Sequence, residues 1–578
     1  MGKIDNGLPT HAIFGTSSVA NFMRQVQATV DAKISSINGT PAPRHSITSH
    51  SLSSFDSTES RVYPEYVLPP RRTADRLLDT YWTKVHNLYP FIHRQSFIRS
   101  YQRLWTGDQP ESDSPTFPCL LNIVFALASQ LSEDSSPAKR EALSNEYYKI
   151  AKRTLQPVLL DGSSFETIQI LLLMAQYLQS TNSRDRCWIV VGLAIRLAQS
   201  LGLHFPETSA NLPRQVDREM ARRVWHGCVM MDRILSMTFG RPLTISRAIA
   251  SAVPLPAPID DEYLLESAET FGEQRAGMPS QIEFFIQTVK LYGMLDDILL
   301  SLYSPNSDSA TLYGKLQCWD NNSIFRVEAG LSRWKKEIPS CLQFNGQNEV
   351  SKLGSVFHRQ SNVLQARYLH LRILLFRPVF TFFQDRDTTW AELFSDAFLQ
   401  YSVAQQCVVQ CIKAAQQLVE LIHSNLQQDG SMGPLPAWWY NVFYIYTAAT
   451  VMTATRLYPS VATDIDESLL TQSWNCALET LRAYQEYSRS AKRCLVTLEV
   501  LHEKVVGGIQ AQNEEATEPT KSSRLDPWLD VNSTQQLRPN DAPEIQDLGD
   551  LGTTFDIMDM AWLDSTPFDL ESYSWNTY

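Results

Sequence analysis

The sequence predicts an all-α protein, and three observations predict it. Apolar residues recur at three- and four-residue spacing from about Tyr63 to about residue 507, the period of one buried helix face. No stretch alternates apolar and polar residues long enough for a half-buried sheet, and no repeat of 20–50 residues is visible. Glycine and proline follow the apolar stripes where helices need to stop. With 43% hydrophobic residues and only 19% charged ones, the chain can bury a large multi-helix body, expected as two packed halves.

The elements follow in order. Residues 1–10 read as irregular, and Phe22, Val26 and Val30 then share one helix face. From Ser35 to Ser60, twelve of 26 residues are Ser or Thr. Such a segment buries too little apolar surface to offset its ordering entropy, so a disordered linker is expected. Stripes follow at Ile168, Leu171, Leu172, Ala175 and Leu178, then at Trp188, Val191, Ile195 and Ala198, and at Met220, Val224, Gly227, Met231 and Leu235. Later ones run through Ile282, Phe285, Ile286, Val289 and Tyr292, and through Leu364, Tyr368, Leu371 and Leu375. Gly202, with Pro206 beyond it, ends one helix, and Gly240 with Pro242 ends the next long one. Pro254, Pro256 and Pro258 make a stiff connector, and the helix through Leu375 is expected to stop before Pro378. From Gly508 the pattern fades into a polar, acidic tail.

The net charge of −12 sits almost wholly in that tail. Ala511–Tyr578 holds fourteen acids and three bases, which leaves the body at about −1. A nucleic-acid binder usually carries a basic face or stripe, and nothing in this balance demands one. From Asp541 onward nine acids and no Lys or Arg are interleaved with Phe555, Met558, Trp562, Leu563, Phe568 and Trp575. Repulsion among the acids keeps these side chains in water and available to a partner's groove, the composition of an activation segment.

Nine scattered cysteines do not look like a secreted disulfide framework. The N-terminus lacks a charged start followed by an apolar run. The uncharged stretch Gly430–Thr455 is long enough to span a membrane, but Pro434, Pro436, Asn441 and its threonines favour a buried helix. A reduced, intracellular, soluble protein with no membrane partner is expected.

Catalytic and metal motifs are not found. No C-x2-C pair occurs, and Cys407 and Cys411 share an apolar stripe with Val403, Ala414, Leu418 and Leu421, where cysteine packs as a small hydrophobe. Asp260-Asp261-Glu262 and Asp296-Asp297 invite comparison with Asp-rich Mg2+ sites, but the first group follows the proline connector, where charged loop residues are common, and the second has no further acid one helical turn on. They read as solvated loop and helix charges. His86 and His93 read as packed or hydrogen-bonded rather than ligating. There is no G-x-S-x-G turn and no phosphate loop. No catalytic, cofactor or metal residue is therefore assigned.

Four segments, in order, resemble the fungal zinc binuclear cluster transcription factors. FGTSSVANFMRQVQATV (Phe14–Val30) resembles an element that often follows the zinc cluster. YWTKVHNLYPFIHRQSFIRSY (Tyr81–Tyr101), with Tyr89, Pro90 and His93, resembles the start of the helical middle homology region. WIVVGLAIRLAQSLGLHFPE (Trp188–Glu207), with Gly202, resembles a helix of that region ending in a Gly-Leu-His turn. REMARRVWHGCVMMDRILSMTFGRPLTIS (Arg218–Ser246) resembles its signature helix, carried here by Arg222, Arg223, Trp225, Asp232, Arg233, Gly240, Arg241 and Pro242. These positions are expected to fix helix packing rather than to bind an effector, since buried charge needs partners. The family's six-cysteine cluster, which begins C-x2-C-x6-C, has no counterpart in this sequence. No DNA-contact residue is carried over, and zinc is expected only with such a cluster.

The resemblance implies a large multi-helix regulatory domain in two packed halves, with a disordered N-terminal linker and an acidic C-terminal tail. The divisions are an N-terminal element at 1–35, a Ser/Thr-rich linker at 36–62, first and second helical halves at 63–260 and 261–507, and the acidic-aromatic tail at 508–578. It implies a nuclear, non-enzymatic regulator of RNA polymerase II transcription, with a metabolic or secondary-metabolite gene cluster as a candidate target. Expected partners are a coactivator or the general transcription machinery through the tail, a homo- or heterodimer with a related factor, DNA only through a zinc finger or a partner, and a small-molecule effector. The alternatives are a fingerless dimerising modulator of a complete factor and an all-α enzyme.

Overall fold

In the computed structural model the described residues are 17–38, 68–106, 116–133, 136–159, 164–181, 183–267, 270–303, 321–344, 355–383, 397–427, 433–458, 465–485 and 488–517. Among them every regular element is helical. The α-helices are α1 (Val19–Asn38), α2 (Arg71–Tyr81), α3 (Arg94–Thr106), α4 (Phe117–Gln130), α5 (Pro137–Val158), α6 (Phe165–Gln179), α7 (Arg184–Ser200), α8 (Pro206–Ala210) and α9 (Gln215–Phe239). They continue with α10 (Arg247–Ala252), α11 (Glu283–Leu302), α12 (Asn321–Glu337), α13 (Ser355–Phe376), α14 (Ala397–Ser424), α15 (Trp438–Arg456), α16 (Glu467–Gln485) and α17 (Arg489–Thr517). A π-helical turn covers Trp82–His86, and a 3-10 turn covers Asp261–Tyr263. Helix α17 carries its backbone past Gly508 into the segment that pattern alone gives to the tail.

Local chemistry sets the boundaries. Gly202 adopts φ +70°; its N–H reaches Gln199 O at 3.0 Å and that of Leu203 reaches Ala198 O at 3.0 Å. This paired closure of a helix end needs a left-handed residue, and glycine takes that conformation without a Cβ clash. Gly240 at φ +67° closes α9 in the same region of backbone space. Ser164 caps α6, its hydroxyl accepting the Thr167 N–H at 3.1 Å. After α13 the chain tightens into a 3-10 turn over Arg377–Phe383, with Pro378 inside it.

Consecutive helices pack on one another: α4 with α5, α6 with α7, α13 with α14, α14 with α15, and α16 with α17. Helix α11 touches both α9 and α13, and α1 lies on α17 and α15. One continuous apolar core therefore runs from Val19 to Val505. The predicted stripes face it: Phe22, Val26 and Val30 are buried, as are Ile168, Leu171, Val224, Met231, Leu364 and Leu371. At Gly227 the helix comes so close to its neighbour that an added Cβ would lie 2.5 Å from Cε1 of Phe91. Glycine there is a packing requirement of α9. The uncharged stretch before Arg456 forms the buried α15. Among the described residues no helix is long and apolar enough to cross a membrane.

Candidate functional site

Helix α9 carries charge into the core and holds the loop that follows it. Arg223 is 0% exposed. Its Nη1 lies 2.5 Å from Asp261 Oδ1, and its Nη2 donates to Ile259 O at 2.9 Å. Asp261 Oδ2 accepts the backbone N–H of Arg94 at 2.9 Å and stands 3.4 Å from His86 Nε2. Burial alone would raise the Asp261 pKa. The Arg223 charge, the His86 contact and the Arg94 amide outweigh burial and hold the carboxyl well below its usual range. The π-helical turn brings His86 to this point. His93, two turns of chain later, hydrogen-bonds Ser96 Oγ at 2.8 Å and stands 3.4 Å from Asp261 O, and burial lowers its pKa.

Nearly three turns further along α9, Arg233 donates through Nη2 to Asp296 of α11 at 2.7 Å and lies 3.8 Å from Asp232. Asp232 accepts the N–H groups of Thr244 and Ile245 at 2.9–3.1 Å, which fixes the Gly240-Arg241-Pro242 turn. Burial pushes the pKa values of Asp232 and Asp296 upward against the opposing pull of Arg233 and, for Asp232, of the two amides. Glu219 completes the clamp: it binds Arg222 at 2.9 Å and accepts the Ala257 N–H at 2.7 Å. Arg241 reaches Asp185 at 2.5 Å with its guanidinium over Trp188. Trp225 is fully buried, its ring near His204.

These distances correct the reading of the acidic pairs as solvated. Asp261 is 8% exposed and Asp296 1%, and each neutralises an arginine of α9. Asp260 also turns inward, accepting from Ser280 Oγ and the Gln281 N–H at 2.8 Å each. Asp297 alone of the second pair faces outward, on Arg247 at 2.5 Å. The charged signature positions are thus brought together around α9, and Tyr89 and Pro90 are not. Tyr89 lies apart, its hydroxyl 3.2 Å from that of Tyr440 and receiving Arg367 Nη2 at 3.0 Å. Pro90 is buried beside it.

Tyr440 belongs to the wall of a cavity of about 190 Å³, a feature the sequence did not reveal. The wall is α15, with Trp438, Trp439, Tyr440, Phe443, Tyr444 and Tyr446; Phe239, Tyr292, Gln179 and Val19 close it from other helices. Among the described residues no Asp, Glu, Lys, Arg or His lines it. Cys407 and Cys411 are buried in the core, where burial raises both thiol pKa values. Among the described residues His423, Cys476 and Glu479 place three ligand atoms within 4.8 Å of one another, with His423 and Glu479 3.0 Å apart.

Residues 78–335 match the fungal specific transcription factor domain. The chain thus carries a fungal specific transcription factor domain, and proteins similar to it are fungal transcription factors. It is 30% identical over 449 residues to the sorbicillinoid biosynthetic cluster transcription factor 2 of Penicillium rubens, an overlap of 76% of this chain and 62% of the relative. It is 27% identical to the sorbicillinoid biosynthetic cluster transcription factor sor3 of Hypocrea jecorina, over 76% of this chain and 60% of that protein. It is 26% identical to the transcription factor FBD3 of Gibberella moniliformis, over 78% of this chain and 56% of that one. The chain spans less than two thirds of the length of each.

Within the fungal domain lie α9, its arginines and the loop bearing Asp261. The charge clamp is therefore built inside the matched region, whereas the aromatic wall on α15 follows it in the chain. The tail positions Phe555, Met558, Trp562, Leu563, Phe568 and Trp575, and the 39–62 part of the Ser/Thr-rich linker, lie outside the described residues.

Proposed function

We propose that this protein is a nuclear regulator of RNA polymerase II transcription, in which a helical body controls an acidic-aromatic tail at 508–578. The observation that carries the reading is the match of residues 78–335 to the fungal transcription factor domain. The tail composition supports the second part: nine acids with no base from Asp541 onward, around Phe555, Met558, Trp562, Leu563, Phe568 and Trp575. Such a segment presents rings to a coactivator groove without collapsing on itself.

In this reading residues 1–35 and 63–507 form the control body, joined by the linker at 36–62. DNA is reached through a zinc cluster beyond this sequence or through a dimer partner. Two relatives are named for sorbicillinoid biosynthetic clusters, which supports a secondary-metabolite cluster as the target. A small effector bound by the body sets the output of the tail, and the protein has no catalytic step of its own.

The tail is tested by fusing residues 508–578 to an unrelated DNA-binding domain beside a reporter gene. The fusion is expected to activate the reporter, and joint alanine substitution of the six anchor residues to abolish activation. A silent wild-type tail, in cells where the complete chain fused to the same domain activates, would refute its role.

A further inference from the structure

The cavity against α15 differs from ordinary packing defects in size, lining and donors. Interiors are packed nearly as densely as organic crystals, with few voids larger than a water molecule. This pocket, partly open to solvent, has about 190 Å³ of space, more than the engineered apolar cavity of about 150 Å³ that admits benzene. It has room for a one- or two-ring molecule, not for an extended peptide.

Its lining sets the chemistry of the occupant. Six successive aromatic positions of α15 present π faces and edges, with Phe239 and Tyr292 opposite, so a planar ring can stack or meet an edge. Among the described residues no charged side chain lines the space. An ionised ligand would lose its water and gain no counter-charge. The guanidinium of Arg367 lies behind the wall, held by Tyr89 and Thr288.

The hydrogen-bonding pattern adds polarity. Nε1 of Trp438, Nε1 of Trp439 and Oη of Tyr446 are buried and have no hydrogen-bond partner among the described residues, and all three residues line this cavity. Buried polar groups are nearly always paired. Indole N–H groups only donate, so the missing partner is an acceptor such as a carbonyl oxygen. Tyr440, by contrast, is already engaged by Gln179 and Tyr89. It links the cavity wall to the segment that enters the charge clamp through His86 and His93.

We propose that this cavity is a binding site for a neutral, planar, one- or two-ring aromatic molecule bearing a carbonyl or similar acceptor. The proposal deepens the effector part of the proposed function and rests on that reading only for its consequence in transcription. Binding itself is tested on the purified full-length chain, and the tail fusion tests the other part separately.

The probes are 2-acetylnaphthalene and its anionic counterpart 2-naphthoate, titrated by tryptophan fluorescence and calorimetry. 2-Acetylnaphthalene is expected to bind with a micromolar Kd, and 2-naphthoate at least about 30-fold more weakly, because its carboxylate finds no cation. Tyr446→Phe removes an unpartnered hydroxyl. It should leave the melting midpoint unchanged or higher while weakening 2-acetylnaphthalene by about tenfold. Thr238→Trp, at a partly exposed lining position, should block binding. Absence of binding to the folded chain, equal affinity for the two probes, or unchanged affinity in a folded Tyr446→Phe or Thr238→Trp variant would overturn the proposal.

Discussion

Tyr89 and Tyr440 meet hydroxyl to hydroxyl at 3.2 Å, across 351 residues of chain. Arg367 donates to the Tyr89 oxygen at 3.0 Å, and its guanidinium carbon lies 5.0–5.7 Å from the ring centroids of Tyr89, Phe284 and Tyr292. Among the described residues no carboxylate pairs with Arg367. Its charge is held by hydroxyls and π faces. Tyr89→Phe should therefore destabilise the chain by about 1–3 kcal/mol, since it strips an acceptor from a buried cation. Urea unfolding measures this. A double-mutant cycle with Tyr440→Phe should give a coupling energy above about 0.5 kcal/mol; strict additivity would mean that the two hydroxyls do not interact.

The Arg223–Asp261 pair tests the charge clamp. Arg223→Met alone leaves a buried carboxylate with only His86 and an amide, and should cost about 3–5 kcal/mol. Arg223→Met combined with Asp261→Leu should recover a large part of that loss, because replacing both partners leaves no orphan charge. A double variant no more stable than the single one would show that the pair is not the structural element described.

Acid unfolding should carry the same signature. The folded Asp261 pKa is depressed, so its stabilisation is complete above its unfolded value of about 3.9 and is lost as pH falls through the folded one. Asp232 and Asp296 are shifted upward and act in the opposite sense, favouring the folded state as they take up protons. Stability should hold or rise slightly from pH 7 towards 5, then fall steeply below about pH 4. Asp261→Asn should be less stable at neutral pH with a shallower acid limb. An acid limb unchanged in that variant would place the sensitivity elsewhere.

Gly227 and Gly240 answer to different constraints. Gly227→Ala drives a Cβ into the Phe91 ring and should cost about 1–3 kcal/mol by overpacking, partly restored by Phe91→Leu. Gly240→Ala acts through the backbone: its φ of +67° should make the substitution cost about 1 kcal/mol, with no rescue by Phe91→Leu. Rescue at both glycines or at neither would reject the distinction.

The sequence shows what local period and local chemistry encode. The stripe through Met220, Val224, Met231 and Leu235, the glycine stops at 202 and 240, and the burial of the stretch before Arg456 are all legible, because each depends on neighbours within a few residues. The partners of the buried charges are not. Asp261 lies 38 residues from Arg223, and Asp296 lies 63 from Arg233. A doublet of acids looks the same in sequence whether water or an arginine neutralises it. The aromatic cavity is less legible still, since α15 forms only one wall. A run of Trp and Tyr predicts burial, but a pocket arises from the helices that fail to fill the opposite side.

The regulator reading is tested most directly by comparing genome-wide occupancy of the tagged protein in its own cells with the transcripts that change when it is deleted. The reading predicts that the protein concentrates upstream of a defined set of genes and that their RNA levels shift on deletion. Occupancy absent from chromatin, or unrelated to the genes that change, would contradict it.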